Sequence, residues 1–189
     1  MSTRSTLPPT PGQTVGPFYG YALPYDGDSE LVPPGHPGAI RLHGQVLDGN
    51  GDPVPDALLE IWQADSRGEV AQRPGSLHRD GFTFTGWGRA STDGAGTYSF
   101  TTLQPGPTGA EAAPFIAMTV FARGLLNRLF TRIYLPDHPA LASDRLLCSV
   151  PADRRHTLVA TAAPDGLRFD VRLQGEDETV FLTYPGHDD

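Results

Sequence analysis

The sequence contains no lysine, one cysteine and no long apolar run. Without lysine the chain cannot form a lysine Schiff base or supply the lysine of a phosphate-binding loop. The single Cys148 cannot form an internal disulfide, and its apolar neighbours at 146–150 predict a small buried side chain. No segment approaches the roughly 18 apolar residues of a membrane span, and residues 1–11 lack the apolar core of a secretory signal. We therefore expect a cytoplasmic protein without a membrane anchor.

The chain is also short of positive charge. It has 22 acidic and 14 basic side chains, which give a formal net charge of −8 at pH 7. Nucleic acids and anionic membranes bind positively charged surfaces, so this balance argues against both kinds of partner. The sequence has no Gly-x-Ser-x-Gly, phosphate-loop or His-Glu-x-x-His motif. Taken alone, the residues show no catalytic constellation.

Glycine (22) and proline (19) are abundant, and they separate short apolar runs. This spacing is typical of short strands joined by tight turns. Alternating apolar and polar residues predict half-buried strands, whereas residues 115–122 are apolar on both faces, as in a central strand. A short helix is predicted at 150–156, with proline in its first turn. The predicted strands are 40–47, 57–63, 82–92, 97–103, 115–122, 126–135, 167–173 and 179–184.

Residues 1–37 lack this regular pattern and are rich in proline, glycine and aromatic residues. The stretch Phe18 to Tyr25 is too apolar for a solvated tail. We therefore predict an arm that lies across a surface, either of this chain or of a partner. Residues 38–189 predict one all-β domain, a β-sandwich of mixed and antiparallel strands with the extended N-terminal arm and a short helix.

One short motif could carry metal chemistry. His78 and Asp80 match the His-x-Asp half of an iron(II) facial triad, and His138 or His156 would have to supply the second histidine. The six histidines include no pair at the spacing that places two ligands on one side of a strand or helix. A self-sufficient metalloenzyme that uses His78 and Asp80 is kept as an alternative.

Several longer segments share one resemblance. They are Thr-Pro-Gly-Gln-Thr-Val-Gly-Pro at 10–17, Leu-Glu-Ile-Trp-Gln-Ala-Asp at 59–65, Gly-Trp-Gly-Arg at 86–89 and Arg-Phe-Asp-Val-Arg-Leu-Gln-Gly at 168–175. Together the chain resembles the intradiol ring-cleaving dioxygenases over nearly its whole length. The resemblance implies a β-sandwich protein of aromatic catabolism, in an enzyme that opens a catecholic ring with O₂ and Fe(III).

The family's catalytic chains bind Fe(III) through two tyrosinates and two histidines. The matching positions in this sequence are Val70, Thr108, Phe115 and Ala117, so all four ligands are lost. The resemblance therefore implies a chain that holds no metal and has no catalytic residue of its own. It implies an alpha-type subunit of a heteromer in which a beta subunit holds the Fe(III).

The resemblance also implies what such a subunit contributes. Thr14, Gly16, Pro17 and Phe18 match an arm that walls the partner's substrate cleft, and Arg132 matches an arginine near the substrate's carboxylate. The expected partners are a beta subunit, in a higher-order hetero-oligomer, and a small aromatic substrate. An alternative from another class is a stand-alone β-sandwich that serves as a binding or structural module without any enzymatic role.

Overall fold

Two β-sheets face each other in the computed structural model, which describes residues 14–16, 18–72 and 79–184. No helix within these residues is long and apolar enough to cross a membrane. Short α-helices are α1 (Tyr19–Ala22) and α2 (Arg145–Ser149), and 3₁₀ helices span Pro139–Ala142 and Arg155–Leu158. The strands are β1 (Ala39–Leu47), β2 (Leu58–Gln63), β3 (Trp87–Ser91), β4 (Thr97–Leu103), β5 (Phe115–Phe121), β6 (Leu129–Tyr134), β7 (Thr161–Ala163), β8 (Gly166–Arg168) and β9 (Val171–Arg172).

The two sheets differ in strand direction. The first has the order β4-β1-β8-β7, and β9 also pairs with β1. In it, β1 runs antiparallel to β4 but parallel to β8 and β9. The second has the order β3-β2-β5-β6 and is antiparallel throughout. These pairings confirm the predicted β-sandwich of mixed and antiparallel strands.

The core lies between the sheets and is built from the alternate residues that the strands turn inward. It is apolar and excludes solvent, since its largest side chains are fully buried. A second, smaller cluster fills the space beneath α2 and the second 3₁₀ helix. The fully buried core residues include Leu42, Leu59, Ile61, Phe100, Ile116, Val120 and Ile133.

Residues 28–32 belong to this sandwich although they precede β1. The Thr101 N–H donates to the Ser29 carbonyl at 2.9 Å, and the Leu31 N–H donates to the Thr101 carbonyl at 2.8 Å. Leu31 is only 3% exposed and packs in the main core. The division into an arm at 1–37 and a sandwich at 38–189 stays a prediction, although residues 28–32 of the predicted arm pair and pack with the sandwich.

The strand predicted at 167–173 is interrupted. Phe169 and Asp170 separate β8 from β9, and the carboxylate of Asp170 accepts the Gln45 N–H at 3.0 Å in place of a backbone partner. Gly44 allows the Phe169 carbonyl to approach closely, because a Cβ there would lie 1.8 Å from that oxygen. Alternation alone cannot reveal such a break. The strand predicted at 179–184 is wrong, since the structure has no strand there.

The predicted helix at 150–156 is wrong in position. The α-helix nearest to this range is α2, which begins after Asp144, whose carboxylate accepts the Leu147 N–H at 2.9 Å. Within the predicted range the structure has only the start of the 3₁₀ helix Arg155–Leu158. Helical geometry also explains why Cys148 is exposed, contrary to the prediction that it is buried. Successive helical residues point about 100° apart, so Leu147 enters the core and the next side chain turns outward.

Asp144 joins three parts of the fold. Besides capping α2, its carboxylate accepts the Tyr134 hydroxyl at 2.8 Å and the Ala113 N–H at 3.1 Å. Burial acts to raise the pKa of this carboxyl, but the hydrogen bonds and the nearby Arg132 guanidinium together hold its pKa below the usual value. Burial raises the pKa of Tyr134 to about 12, so its hydroxyl stays protonated and donates. The charged carboxylate therefore stabilises the fold.

We predict that Asp144→Asn lowers the free energy of unfolding at pH 7 by about 1–3 kcal/mol. Because the folded-state pKa is lowered, the carboxylate's contribution is complete above the unfolded-state pKa of about 4 and is lost as pH falls through the folded value. The difference between wild type and variant should therefore shrink below about pH 4 in urea unfolding. Asp153→Asn, at an exposed carboxylate, is the control. A difference that does not change with pH would contradict this account.

Candidate functional site

The candidate site lies on the face of the four-stranded sheet that is turned away from the core. Trp87, Trp62, Ala117 and Arg132 occupy directly paired positions across β3, β2, β5 and β6. Directly paired residues of antiparallel strands share one face. We call these four residues the outer row. Phe115, two residues before Ala117, lies on the same face.

The outer row is open to solvent at its centre. Trp62 is 45% exposed, and Ala117 beside it is half-buried and has only a methyl group. On one side, Trp62 packs against Trp87 with ring centroids 6.4 Å apart. On the other side, the Arg132 guanidinium carbon lies 3.9 Å from the centroid of the Phe115 ring, in cation–π geometry.

Of the four positions that the resemblance matches to iron ligands, two lie on this face and two lie in loops. Phe115 and Ala117 share the outward face of β5. Val70 pairs with Ala64 just beyond the end of β2 and is 59% exposed. Thr108 lies in the exposed loop between β4 and β5.

Two loops that carry ligand positions pack directly against each other. The Gly106 N–H donates to the Asp65 carbonyl at 2.8 Å. Gly68 has a φ of +85°, and a Cβ there would lie 1.9 Å from the Pro107 carbonyl oxygen. The turn that leads to position 70 and the loop that leads to position 108 are therefore held together by close backbone packing.

Gly68→Ala should destabilise the protein by at least about 2 kcal/mol, since it adds both a steric overlap and a strained φ. For a chain of this size that corresponds to a fall of about 4–8 °C in Tm, measured by thermal unfolding. Gly109→Ala is a matched control, because a Cβ at Gly109 meets nothing within 4 Å. An unchanged Tm for Gly68→Ala would show that the two loops do not pack in this way.

Iron does not fit the residues at these positions. Val70, Phe115 and Ala117 carry no donor atom, and Thr108 offers only a neutral hydroxyl. Ferric iron is a hard cation that favours anionic oxygen ligands. Across the described residues, no three His, Cys, Asp or Glu side chains are grouped so that they could hold a metal ion.

The facial-triad alternative finds no support in the described part of the chain. His78 lies outside the described residues. One carboxylate oxygen of Asp80 accepts the N–H groups of Phe82 at 2.9 Å and Thr83 at 2.7 Å, which is the geometry of a turn. His138 accepts a backbone N–H at the start of the following 3₁₀ helix. These contacts give Asp80 and His138 local structural roles.

The described part of the arm lies on its own chain. The Tyr19 hydroxyl in α1 donates to the Asp56 carbonyl at the start of β2. Further along the arm, the Arg89 guanidinium donates to the Leu23 carbonyl at 2.9 Å. Arg89 is on the same face as the outer row, two residues from its member in β3. The arm and Arg132 are therefore found on one face of the sheet.

Three of the four arm residues singled out in the sequence are described by the structure, and all three are exposed. The Thr14 hydroxyl accepts the Gly124 N–H at 2.9 Å, and Gly16 is exposed. Pro17 lies outside the described residues. Phe18 is 64% exposed, which is unusual for a phenylalanine, and its ring contacts Tyr21. These contacts are made within the arm and with the loop at position 124.

Trp62 is a candidate site residue that the sequence reasoning did not single out. Its signal is the strict alternation in β2, where Glu60 and Trp62 fall on one face while Leu59, Ile61 and Gln63 fall on the other. A large aromatic residue on the polar side of a strand is a candidate for binding. The outward orientation of Trp62 therefore marks it as a candidate for binding, independently of the motif that contains it.

Comparison with known proteins agrees with this geometry. Residues 15–175 match the protein family described as Dioxygenase. The chain is 42% identical to the protocatechuate 3,4-dioxygenase alpha chain of Burkholderia cepacia, covering 94% of this chain and 98% of that one. It is 33% identical to the protocatechuate 3,4-dioxygenase beta chain of the same organism, covering 86% of this chain and 78% of that one.

A solved structure shows the same fold. The dioxygenase domain of a dioxygenase carbohydrate-binding protein fusion from Streptomyces sp. SirexAA-E has a TM-score of 0.58 and 26% identity, covering 89% of this chain and 99% of that one. The chain therefore belongs to the intradiol dioxygenase family, which uses non-haem iron. Within this family it is similar to the alpha chains of protocatechuate 3,4-dioxygenase, which are named together with beta chains as parts of one enzyme.

Proposed function

We propose that this chain is the non-metal-binding alpha subunit of a heteromeric Fe(III) intradiol dioxygenase. The assembled enzyme cleaves protocatechuate with O₂ to 3-carboxy-cis,cis-muconate, in the cytoplasmic breakdown of aromatic compounds. The proposal rests on four positions around one sheet face. The side chains at these positions lack the donor atoms that iron needs. Similarity to alpha chains along almost the whole length supports it.

In this proposal the beta subunit holds the iron, and this chain completes the substrate cleft. Thr14, Gly16, Pro17 and Phe18 of the arm wall the partner's cleft. A glycine and a proline give a stiff wall with little side chain, which lets an aromatic ring approach closely. Arg132 attracts the substrate's carboxylate through its guanidinium.

Exposed apolar side chains support a large interface. The arm presents Phe18, Tyr21 and Leu23 to solvent, and Leu126 is exposed beside the loop that the arm contacts. Such a group is costly on an isolated chain and is typical of a surface that a partner covers. We infer that these residues contact the beta subunit, within a hetero-oligomer that contains several copies of each chain.

Iron analysis tests the subunit assignment. We expect the full chain purified alone to contain no stoichiometric iron, because its ligand positions cannot coordinate the metal. Co-expressed with the beta chain, it should yield a complex that contains iron and has the visible absorption of tyrosinate-to-Fe(III) charge transfer. Asp80→Asn should change neither result.

Two outcomes would contradict the assignment. Stoichiometric iron in the chain alone, lost in Asp80→Asn, would support the self-sufficient metalloenzyme. A stable, colourless monomer that does not associate with the beta chain would support the binding or structural module.

Arg132→Ala tests the role of the guanidinium. In the assembled enzyme it should raise the KM for protocatechuate by about tenfold or more, since a charge-assisted contact is lost. The KM for catechol, which has no carboxylate, should change much less. Arg128→Ala, at an exposed arginine that precedes β6, is the control. Equal losses for both substrates would remove Arg132 from the cleft.

A further inference from the structure

A cavity of about 430 Å³ opens at one end of the sandwich. Its lining comes from the start of β1, the residues that follow β4 and β6, and the hairpin of β7 and β8. Sites that bind small molecules usually have volumes of about 300–1,000 Å³. The lining includes no residue of the arm, of the outer row or of the four positions matched to iron ligands. We call this space the end cavity.

The floor of the end cavity is aliphatic. Leu135 is 4% exposed, Leu167 is 7% exposed, and Ile40 packs against the main core to which both belong. The described residues that line the cavity include no phenylalanine, tyrosine or tryptophan. The floor therefore favours a compact apolar group and does not require an aromatic ring.

The mouth of the end cavity carries one negative charge. Asp137 is exposed there, and no arginine lines the cavity among the described residues. Within residues 14–16, 18–72 and 79–184, no arginine or histidine nitrogen lies within 4.0 Å of the Asp137 carboxylate. A carboxylate without a close cation, beside an apolar floor, is complementary to an organic cation and repels anions.

The loop that carries Asp137 is ordered by its own contacts. Proline on either side, at positions 136 and 139, fixes φ at those residues. His138 accepts the Ala140 N–H through Nδ1 at 3.2 Å. Asp137 has a φ of +58°, a left-handed conformation that glycine would adopt without strain. The chain therefore holds a carboxylate here at a conformational cost, in a loop that has little freedom left to lose on binding.

From these observations we propose that the end cavity binds a small organic cation with a compact apolar body. The apolar body lies on Ile40, Leu135 and Leu167, and an ammonium group donates hydrogen bonds to the Asp137 carboxylate. Such a ligand has the opposite charge to the carboxylated substrate of the proposed function. The end cavity is therefore a separate site, and the inference does not rest on the proposed function.

Phenethylammonium is the probe, because it joins one ring to an ammonium group through a short chain. It should bind saturably to the full chain in equilibrium dialysis, at one site per chain. Phenethyl alcohol, which has the same body without the charge, should bind about two- to fivefold more weakly, the effect of one exposed ion pair. Phenylacetate should bind more weakly still. Cyclohexylethylammonium should bind like phenethylammonium, because the floor is aliphatic.

Variants locate the binding. Asp137→Asn keeps the shape of the side chain and tolerates the left-handed backbone, so phenethylammonium should bind it as weakly as phenethyl alcohol binds the wild type. Asp153→Asn, the same change at an exposed carboxylate outside the cavity, should have no effect.

A second pair of variants tests the volume of the cavity. Ala162→Leu should weaken the binding of every ligand by at least about tenfold, because the larger side chain occupies the cavity. Ala142→Leu, at an exposed alanine outside the lining, is the matched control. Thermal unfolding confirms that each variant is folded. If the chain purifies only with its beta subunit, the same dialysis is carried out on the complex.

The proposal is overturned if the wild type shows no saturable binding of phenethylammonium. It is also overturned if phenethyl alcohol or phenylacetate binds as tightly as the ammonium ion. Binding to Asp137→Asn or Ala162→Leu that equals binding to the wild type would place the cation elsewhere and overturn it as well. None of these results bears on the iron analysis of the chain alone, so the two proposals fail separately.

Discussion

The pairing of β2 with β5 determines which side chains form the candidate site. Its register sets Trp62 opposite Ala117 and Ile61 opposite Met118. A slip of one residue would turn Met118 outward and bring Ala117 into the core, because side chains alternate between faces. The register is held by burial, since the inward residues of both strands are closed off from water. The packing of the core therefore determines which side chains lie on the outward face.

This arrangement explains how residues without donor atoms at these four positions are compatible with the fold. Val70 and Thr108 are in loops, and Phe115 and Ala117 point away from the main core between the sheets. Substitution at such positions leaves the contacts between the two sheets intact. Their replacement changes the chemistry of one face with little consequence for the packing beneath it. Metal binding and folding are separable in this architecture.

The sequence predicted the sandwich, because alternation is a local property of a strand. It did not predict the break at Asp170, where a side chain replaces a backbone partner, or the shift of the helix to the residues after Asp144. The break depends on a contact between residues that are far apart in the chain. The start of α2 is a local N-cap at Asp144, a sequence signal that alternation does not include. The exposure of Trp62 and the placement of the Arg132 guanidinium over an aromatic ring likewise follow from what neighbouring strands place beside them.

The contacts of the arm have a consequence for assembly. Because Tyr19 and Leu23 are already tied to the sheet through Asp56 and Arg89, that segment has lost much of its conformational freedom before any partner arrives. Ordering a free segment at the moment of association consumes binding energy and weakens the complex. A tethered segment meets its partner nearly as a rigid body. Recognition between the subunits then depends chiefly on the complementarity of two preformed surfaces.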